Sequence, residues 1–569
     1  MNRTNTRRAA AYASFAALLS AMPFQFAKSQ QTSSSSNVRY ELFANSQAES
    51  YLRYLQTTGL VPLYPWSARS FSRRELGVLI PKDSVHPWAS RFSEVSRTYW
   101  KLKYGVIQPS VATQYNSAFA YGMNDGALWA GRGVTASAQA GFYATLGPAS
   151  LTVAPMAFRA ENKGYEILSN GRTGNTAYAD PVFSAGIDRP QRFGDTPYSQ
   201  VDLGQTSLRV DMPFVSAGVS TANEAWGPAQ ELPLLLGNNA AGFPHIFAGT
   251  SEPLNIFIAK IHARAIWGEL AQSDYSTVTG SQTYTSKAEP GTKRFATALV
   301  VIAEPRGITG LEIGGARFFH VIWPSSGIPR SYFTQIFEGF LKKNITPDRL
   351  TDPRFPEGSS QTGISSNEIV SVFARWVIPH GGFELHAEYG REDHSYDLRD
   401  LTQEPDHSRA YSLGARKVFN RDAESMTAGR FELMNFQLPQ LSRYRGDGEF
   451  YVHGLIRQGH TQKGQMLGAD VGVGTGAGSV MAVDHYTMSG SWTASWHRTV
   501  NREYGQYVDL GVISPRSIDV SHALGFEQTR LMGAFDVSWG LTLVRDFNRN
   551  FKSDVTNLNA LAGVRYNIP

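Results

Sequence analysis

Apolar and polar residues alternate one by one in segment after segment from about residue 108 onward, and this period of two constrains the fold most. In the segment 383–389, every second residue is apolar, whereas Glu384, His386 and Glu388 between them are ionisable. Because successive side chains of a strand point to opposite faces, such a segment predicts a strand with one apolar and one polar face. Comparable segments run over residues 134–142, 491–497, 535–543 and 557–568.

Alternation of this kind fits two architectures. A soluble sandwich turns its apolar faces into a core, whereas a membrane barrel turns them toward lipid and keeps polar residues in its lumen. Many of the alternating segments end in aromatic residues, as girdles at the two membrane interfaces require, and no globular break interrupts them. We therefore predict a mainly β fold, with a large antiparallel transmembrane β-barrel over residues 108–569.

The start of the chain carries an export signal. Arg3, Arg7 and Arg8 precede an apolar run over residues 9–22, which predicts a secretory signal peptide over residues 1–29. A single membrane anchor is the less favoured alternative, because the run is shorter than the roughly 18 to 20 apolar residues that a span needs. A polar leader, predicted over residues 30–45, follows the signal peptide and is too polar to bury apolar area.

The next stretch, residues 46–107, carries helical signals instead of alternation. The spacing of a capping box occurs at Ser46–Glu49 and again at Ser72–Glu75, and each is followed by apolar residues at helical intervals. A third helix is predicted over Trp88–Trp100. We therefore predict a small N-terminal α-helical bundle ahead of the barrel.

Charge and cysteine content exclude several functions. Residues 1–29 contain four basic residues and no acidic one, so the formal net charge of +5 falls to +1 in the mature chain. A nearly neutral chain offers little support for nucleic-acid binding, which favours a clustered basic surface. The absence of cysteine excludes disulfides, thiolate metal sites and a cysteine nucleophile.

The most distinctive stretch is Ala225-Trp226-Gly227-Pro228, followed by Asn238-Asn239 and His245 among small residues. This mixture suits a sugar, because C–H faces stack on aromatic rings while hydroxyl groups form hydrogen bonds with amides and carboxylates. The alternative is structural, with Trp226 as an interfacial anchor and the two asparagines in a tight turn.

This stretch resembles the signature of the capsule-assembly Wzi family of outer-membrane proteins. Later blocks of the sequence resemble the same family in the same order, namely residues 312–323, 367–369, 388–393 and 464–470. The resemblance covers roughly residues 40 to 569. It implies a barrel of about 18 strands, with a helical bundle that packs under or into its periplasmic mouth, in the outer membrane of Gram-negative bacteria.

The resemblance also implies a function, which is assembly or surface attachment of capsular polysaccharide or exopolysaccharide through carbohydrate binding. No enzymatic activity, catalytic residue, metal or cofactor is expected. The expected partners are the polysaccharide, outer-membrane lipid and the barrel-assembly machinery during biogenesis, and nucleic acid is not among them. The candidate polysaccharide-binding residues are Trp226, Asn238, Asn239, His245, Glu388 and Asp393.

Two alternatives stay open at this point. A porin-like solute channel shares the barrel but needs an open lumen. An outer-membrane enzyme acting on polysaccharide would use paired carboxylates such as Glu384 and Glu388, although a polar lumen also requires such residues. For a barrel of any of these functions, ligand contacts are expected on the long polar inserts, because binding groups sit on loops held by a rigid scaffold. These inserts are residues 162–197, 273–292, 342–366 and 391–408.

Overall fold

A computed structural model describes most of the chain after the leader. The predicted signal peptide, the leader up to residue 41 and Asp393 lie outside the described residues. The described ranges are 42–79, 86–92, 97–278, 292–323, 327–337, 366–392, 397–438, 449–454, 456–503 and 518–568.

Strands dominate these ranges, and no helix within them combines the length and the apolar character needed to cross a membrane. The helices are α1 (Gln47–Thr57), α2 (Arg73–Leu79), α3 (Arg330–Thr334) and α4 (Leu398–Gln403), with short 3₁₀-helices at Ala89–Phe92, Gly174–Tyr178, Gln335–Phe337 and Pro379–Gly381. The strands are β1 (Ala68–Arg69), β2 (Arg97–Tyr99), β3 (Leu102–Asn116), β4 (Gly133–Leu146), β5 (Ala149–Val153), β6 (Met156–Ala160), β7 (Tyr198–Asp202), β8 (Ser207–Asp211), β9 (Ser216–Ser220), β10 (Ala225–Trp226), β11 (His245–Gly249), β12 (Leu254–Asn255), β13 (Ala259–Ala271), β14 (Lys293–Pro305), β15 (Leu311–Ile322), β16 (Ser366–Ile378), β17 (Phe383–Glu392), β18 (Arg409–Arg421), β19 (Ser425–Asn435), β20 (Thr461–Gln462), β21 (Gln465–Met466), β22 (Ala477–Thr487), β23 (Gly490–Glu503), β24 (Ile518–Met532), β25 (Phe535–Arg549) and β26 (Ser553–Tyr566).

Antiparallel pairing closes these strands into a barrel. β26 pairs with β3, with Val564 opposite Val111, so the last strand meets the first long one. Three strands of the wall are interrupted, so that each consists of two shorter strands. These pairs are β5 and β6, β7 and β8, and β11 and β12. Counted this way, the described residues form a closed 18-strand antiparallel barrel. The predicted fold class is therefore confirmed.

The apolar face of the barrel wall points outward, whereas the apolar faces of a soluble sandwich point into its core. On β17, Leu385 is 42% exposed on the outer face, whereas its neighbours Glu384 and His386 are 0% and 5% exposed and point inward. β25 shows the same pattern, because Leu541 is 49% exposed and the inward Asp536 is 4% exposed. A continuous apolar outer surface needs an apolar medium around it, which lipid supplies.

The two ends of the barrel differ in their connections. Short turns join strands at one end, as between β4 and β5 and between β24 and β25, and we call it the short-turn end. At the opposite, long-loop end, several described connections are much longer, including residues 117–132 and 161–197. In outer-membrane barrels, short turns face the periplasm and long loops face the outside.

Helix α1 lies inside the barrel near the short-turn end. Its side chains form hydrogen bonds with inward-facing side chains of β16, β17, β22 and β23.

The hydroxyl of Ser46 accepts a hydrogen bond from the Glu49 amide at 3.2 Å, as predicted for the cap, whereas the Glu49 carboxylate accepts from the Asn45 amide at 2.6 Å. At α2 the reciprocal box between Ser72 and Glu75 is complete, with both bonds present at 2.6 and 3.0 Å.

The helix predicted over Trp88–Trp100 is wrong. Residues Ala89–Phe92 form one 3₁₀ turn, and β2 then pairs with β3, which itself begins at Leu102. Long-range contacts decide this segment, because the Trp88 indole donates a hydrogen bond to the carbonyl of Thr487 at 3.0 Å. Tertiary contacts of this kind override a weak local helical pattern.

Candidate functional site

Two segments from the long-loop end fold into the lumen. The first inward segment, residues 223–244, carries β10, which pairs with β1 so that Trp226 lies opposite Ala68. The second inward segment comprises residues 449–454 and 456–476. The two are joined by backbone hydrogen bonds, from the Gly237 amide to the Leu467 carbonyl at 2.9 Å and from the Ala469 amide to the Pro233 carbonyl at 2.7 Å. Together with α1, they fill the lumen beside β13–β22.

A buried network of ion pairs connects α1 to the barrel wall and to the first inward segment. Arg53 donates to the Glu384 carboxylate through Nε at 3.0 Å and Nη2 at 2.5 Å, and Nη2 also donates to the Pro228 carbonyl at 2.6 Å. Arg375 contacts the second oxygen of Glu384 at 2.7 Å and also pairs with Glu312. Burial lowers the pKa of Arg53 to about 10 against the opposing effect of Glu384, so the guanidinium stays charged at neutral pH.

Two of the residues predicted to bind polysaccharide meet at a single carboxylate. The Trp226 ring is fully buried, and its indole nitrogen donates to Glu224 Oε2 at 3.2 Å. His245, the first residue of β11, places Nε2 3.4 Å from Glu224 Oε1, and Arg264 lies 2.7 Å from the same oxygen. Burial opposes the charge on Glu224, but Arg264 and His245 outweigh it and hold the pKa of that carboxyl below its usual range.

The two predicted asparagines tie three segments together. Asn238 Nδ2 donates to the Asn124 carbonyl at 2.6 Å, and the Asn124 amide donates to Asn239 Oδ1 at 3.0 Å. Asn239 Nδ2 in turn donates to the Gly468 carbonyl at 2.9 Å. These amides therefore fix the loop 117–132 and the second inward segment to the first one. Asn239 remains partly exposed.

Glu388, another predicted residue, lies in β17 and is 3% exposed. Its carboxylate lies directly against Gly227, where a Cβ atom would come within 2.6 Å of Oε2. Gly227 also has a φ of +91°, so two constraints favour glycine at this point of the Trp-Gly-Pro stretch.

A cleft of about 230 Å³ opens above these supports at the long-loop end. Its walls come from the loop 117–132, the loop 161–197, the second inward segment and the ends of β23, β24 and β25. Partly exposed aromatic rings of Tyr121, Trp129 and Tyr165 line it, and Asn239 contributes to its floor. The cleft thus combines ring faces with amide and hydroxyl groups, which is the combination that sugar binding uses.

The guanidinium groups of the cleft already have carboxylate partners. Arg189 Nη2 lies 2.7 Å from Asp470 Oδ1, and Arg549 Nη1 lies 2.6 Å from Asp546 Oδ2. Asp125, by contrast, is exposed to the cleft. The enclosing walls and the nearby negative charge of Glu527 raise the pKa of Asp125 to about 7.

Most residues of the cleft were not singled out from the sequence. The loop 161–197, which supplies Tyr165 and Arg189, was predicted as a surface insert, but the loop 117–132 with Asp125 and Trp129 was not. A Trp in a Gly-rich, polar connection between two alternating segments is the one local signal that marks this loop.

A closed barrel with an apolar exterior, polar inward side chains and an internal plug has the fold of an outer-membrane β-barrel. No protein-family model and no curated protein matches the sequence. Among solved structures, the chain resembles Wzi of Escherichia coli, described as an outer-membrane protein involved in group 1 capsule assembly and a carbohydrate-binding β-barrel. The match has a TM-score of 0.58 at 12% identity and covers 92% of this chain and 99% of that one.

Two further barrels are similar at lower TM-scores. OccK5 (OpdH) of Pseudomonas aeruginosa has a TM-score of 0.36 at 11% identity, with 82% of this chain and 99% of that chain covered. OccAB3 of Acinetobacter baumannii has a TM-score of 0.38 at 7% identity, with 81% and 98% covered. The match to Wzi confirms the prediction of a Wzi-like chain at the level of the fold.

Proposed function

We propose that the protein resides in the bacterial outer membrane and binds a capsular polysaccharide or exopolysaccharide at the cell surface, in its assembly or attachment. The cleft at the long-loop end carries this proposal, because it places three aromatic rings and an amide floor where an external polymer has access. The similar fold of Wzi, a carbohydrate-binding barrel involved in capsule assembly, supports the proposal. Individually weak sugar contacts, repeated along a polymer and over many protein copies, give firm retention.

The residues predicted from the sequence divide into two proposed roles. Asn239 is the proposed direct contact, since it is partly exposed on the cleft floor. Trp226, Asn238, His245 and Glu388 are proposed to support the cleft, because their side chains contact neighbouring protein groups and do not line it. Asp393 stays a sequence prediction.

Two features favour binding over transport or hydrolysis. The helix α1 and the inward segments occupy the lumen beside β13–β22, which reduces the open cross-section that a porin needs. Glu384, a carboxylate that an enzyme would need free, is fully buried and ion-paired with Arg53 and Arg375. General acid–base catalysis requires a carboxylate within reach of substrate.

The test is binding of the host's own surface polysaccharide to the detergent-folded protein, measured by co-sedimentation and by titration calorimetry. Trp129→Ala should lower the affinity about three- to tenfold, which corresponds to roughly 0.7–1.4 kcal/mol of lost ring contact. Trp539→Ala is the matched control, because Trp539 lies on the outer face and is 39% exposed there. In cells, deletion of the protein should release polysaccharide into the medium while its synthesis continues.

Unchanged binding by Trp129→Ala, Trp129→Phe and Asn239→Ala alike would remove the cleft from the proposal. Absence of any binding by the wild-type protein, with polysaccharide retained on deletion cells, would remove the function itself.

A further inference from the structure

The cationic side chains lining the cleft are all engaged by the protein. Besides the two pairs already described, Arg502 lies 3.9 Å from Asp180 Oδ2 and donates to Asn550 Oδ1 at 3.3 Å. The guanidinium of Arg549 also lies 3.9 Å from the centroid of the Phe119 ring, so its face is covered. An acidic sugar entering the cleft would therefore have to displace an existing carboxylate from each guanidinium, at the cost of a desolvated ion pair.

Carboxylates exceed cations in the same space. Among the described residues that line the cleft are three arginines and five carboxylates, and one of these carboxylates, Glu166, pairs with Lys552 beside the cleft. Asp519 accepts hydrogen bonds from neutral donors, Asn501 Nδ2 and the Asn550 amide, each at 2.9 Å. Asp546 is fully buried, and its carboxyl group is hydrogen-bonded to that of Asp519 as well as paired with Arg549. Asp125 faces the cleft with no described Lys or Arg at ion-pair distance.

Glu527 adds to this imbalance. It projects from the inward face of β24, is exposed within the lumen, and lies close enough to Asp125 to act on its ionisation. Two carboxylates that face one enclosed space repel each other, and a cation between them relieves that repulsion. The part of the wall formed by Asp125 and Glu527 therefore favours a cationic group over an anionic one.

We infer that the cleft selects a glycan that carries protonated amino groups, with one ammonium group bound by Asp125, and that it discriminates against acidic glycans. An ammonium group offers three hydrogen-bond donors and a positive charge, which match the exposed Asp125 carboxylate, since no described Lys or Arg pairs with it. The aromatic rings contribute to affinity for any sugar, whereas the charge pattern decides which sugar is preferred. This inference rests on the proposed function, because it names the class of glycan that the same cleft takes.

The experiment compares three oligosaccharides of equal length, built from glucosamine, N-acetylglucosamine and glucuronic acid. Binding to the detergent-folded wild-type protein is measured at pH 7.0 and low ionic strength, because at lower pH the Asp125 carboxyl, whose pKa is about 7, would be mostly protonated. We expect the glucosamine oligomer to bind about fivefold more tightly than the N-acetylated one, and the glucuronic acid oligomer to bind most weakly. High salt should reduce the difference, because a partly exposed ion pair is screened.

Asp125→Asn should abolish the preference for the glucosamine oligomer while leaving binding of the N-acetylated oligomer nearly unchanged. The matched control is Asp554→Asn, since Asp554 is an exposed aspartate at the same end of the barrel that does not line the cleft. Heat modifiability in SDS gels checks that both variants keep the folded barrel.

Tight binding of the glucuronic acid oligomer, or a preference for amine that survives Asp125→Asn, would overturn the inference. In either case binding of the host polysaccharide would leave the proposed function standing. Failure of the host polysaccharide and of all three oligomers to bind would overturn both.

Discussion

Replacing Glu384 with glutamine tests whether the buried ion pairs hold α1 in the lumen. Glu384→Gln keeps the volume of the side chain and removes its charge. Arg375 keeps Glu312 as a partner, but Arg53 keeps only neutral acceptors, among them the Pro228 carbonyl. The variant therefore leaves a guanidinium that is 0% exposed without a compensating negative charge.

The expected loss follows from that uncompensated charge. Removing one partner of a buried ion pair costs about 3–5 kcal/mol. Arg53→Met should cost less, about 1.5–3 kcal/mol, because Glu384 then keeps Arg375 at 2.7 Å and Arg416 at 3.7 Å. The double variant should be no worse than Glu384→Gln alone, since the charge left over in the single variant is gone.

Hydrogen exchange followed by mass spectrometry measures the effect where it occurs. Opening of α1 does not require opening of the barrel, so amides of residues 47–57 should exchange at least about a hundredfold faster in Glu384→Gln, whereas residues 535–549 should not change. Glu424→Gln, at an exposed turn, is the matched control. Exchange of α1 within threefold of wild type in Glu384→Gln would refute the argument that these ion pairs anchor the helix.

Three further outcomes are expected. Leu541→Arg, on the outer face of β25, should destabilise the barrel in lipid vesicles by about 2–4 kcal/mol in urea titrations, and an equal cost for the inward Thr542→Arg would contradict the outward assignment. Burial lowers the pKa of His460 to about 4, so its contribution is fully present above pH 6.5 and is lost as the pH falls toward 4, by roughly 3 kcal/mol. Protease cleavage of the second inward segment should rise over that window, and a His460→Gln variant with the same pH slope would exclude this histidine as the cause. The raised pKa of Asp125 means that its ionisation destabilises the fold as pH rises from about 4 to 7, so Asp125→Asn should raise the unfolding temperature at pH 8 and not at pH 4, and equal shifts at both would contradict this.

The barrel was predictable because the alternation of apolar and polar residues that it requires is visible in neighbouring residues. Each spanning strand meets lipid on one face and the lumen on the other, so the alternation at Leu385 and Glu384 is written into adjacent residues. The caps at Ser46 and Ser72 are equally local, since a hydroxyl reaches an amide three residues away. The segment after Trp88 was mispredicted because a partner almost 400 residues away decides its course.

The cleft was largely unpredictable from the sequence, because contacts between distant parts of the chain form it. Asp125, Arg189, Asp470 and Asn501 come from four separate parts of the chain and share a wall only after the barrel closes. The sequence blocks that resemble the Wzi family, in contrast, supply residues that hold α1 and the inward segments inside the barrel. Glu312 pairs with Arg375, and the block at 464–470 bonds to the first inward segment.

The plug helix has a consequence for biogenesis. Arg53 bonds to a residue 331 positions later, and Tyr54 bonds to Asp484, 430 positions later. α1 is therefore synthesised before its partner strands, and once β26 pairs with β3 the closed wall offers the helix no lateral entrance. The helix therefore reaches its position either through an open end of the barrel or by being enclosed as β26 pairs with β3.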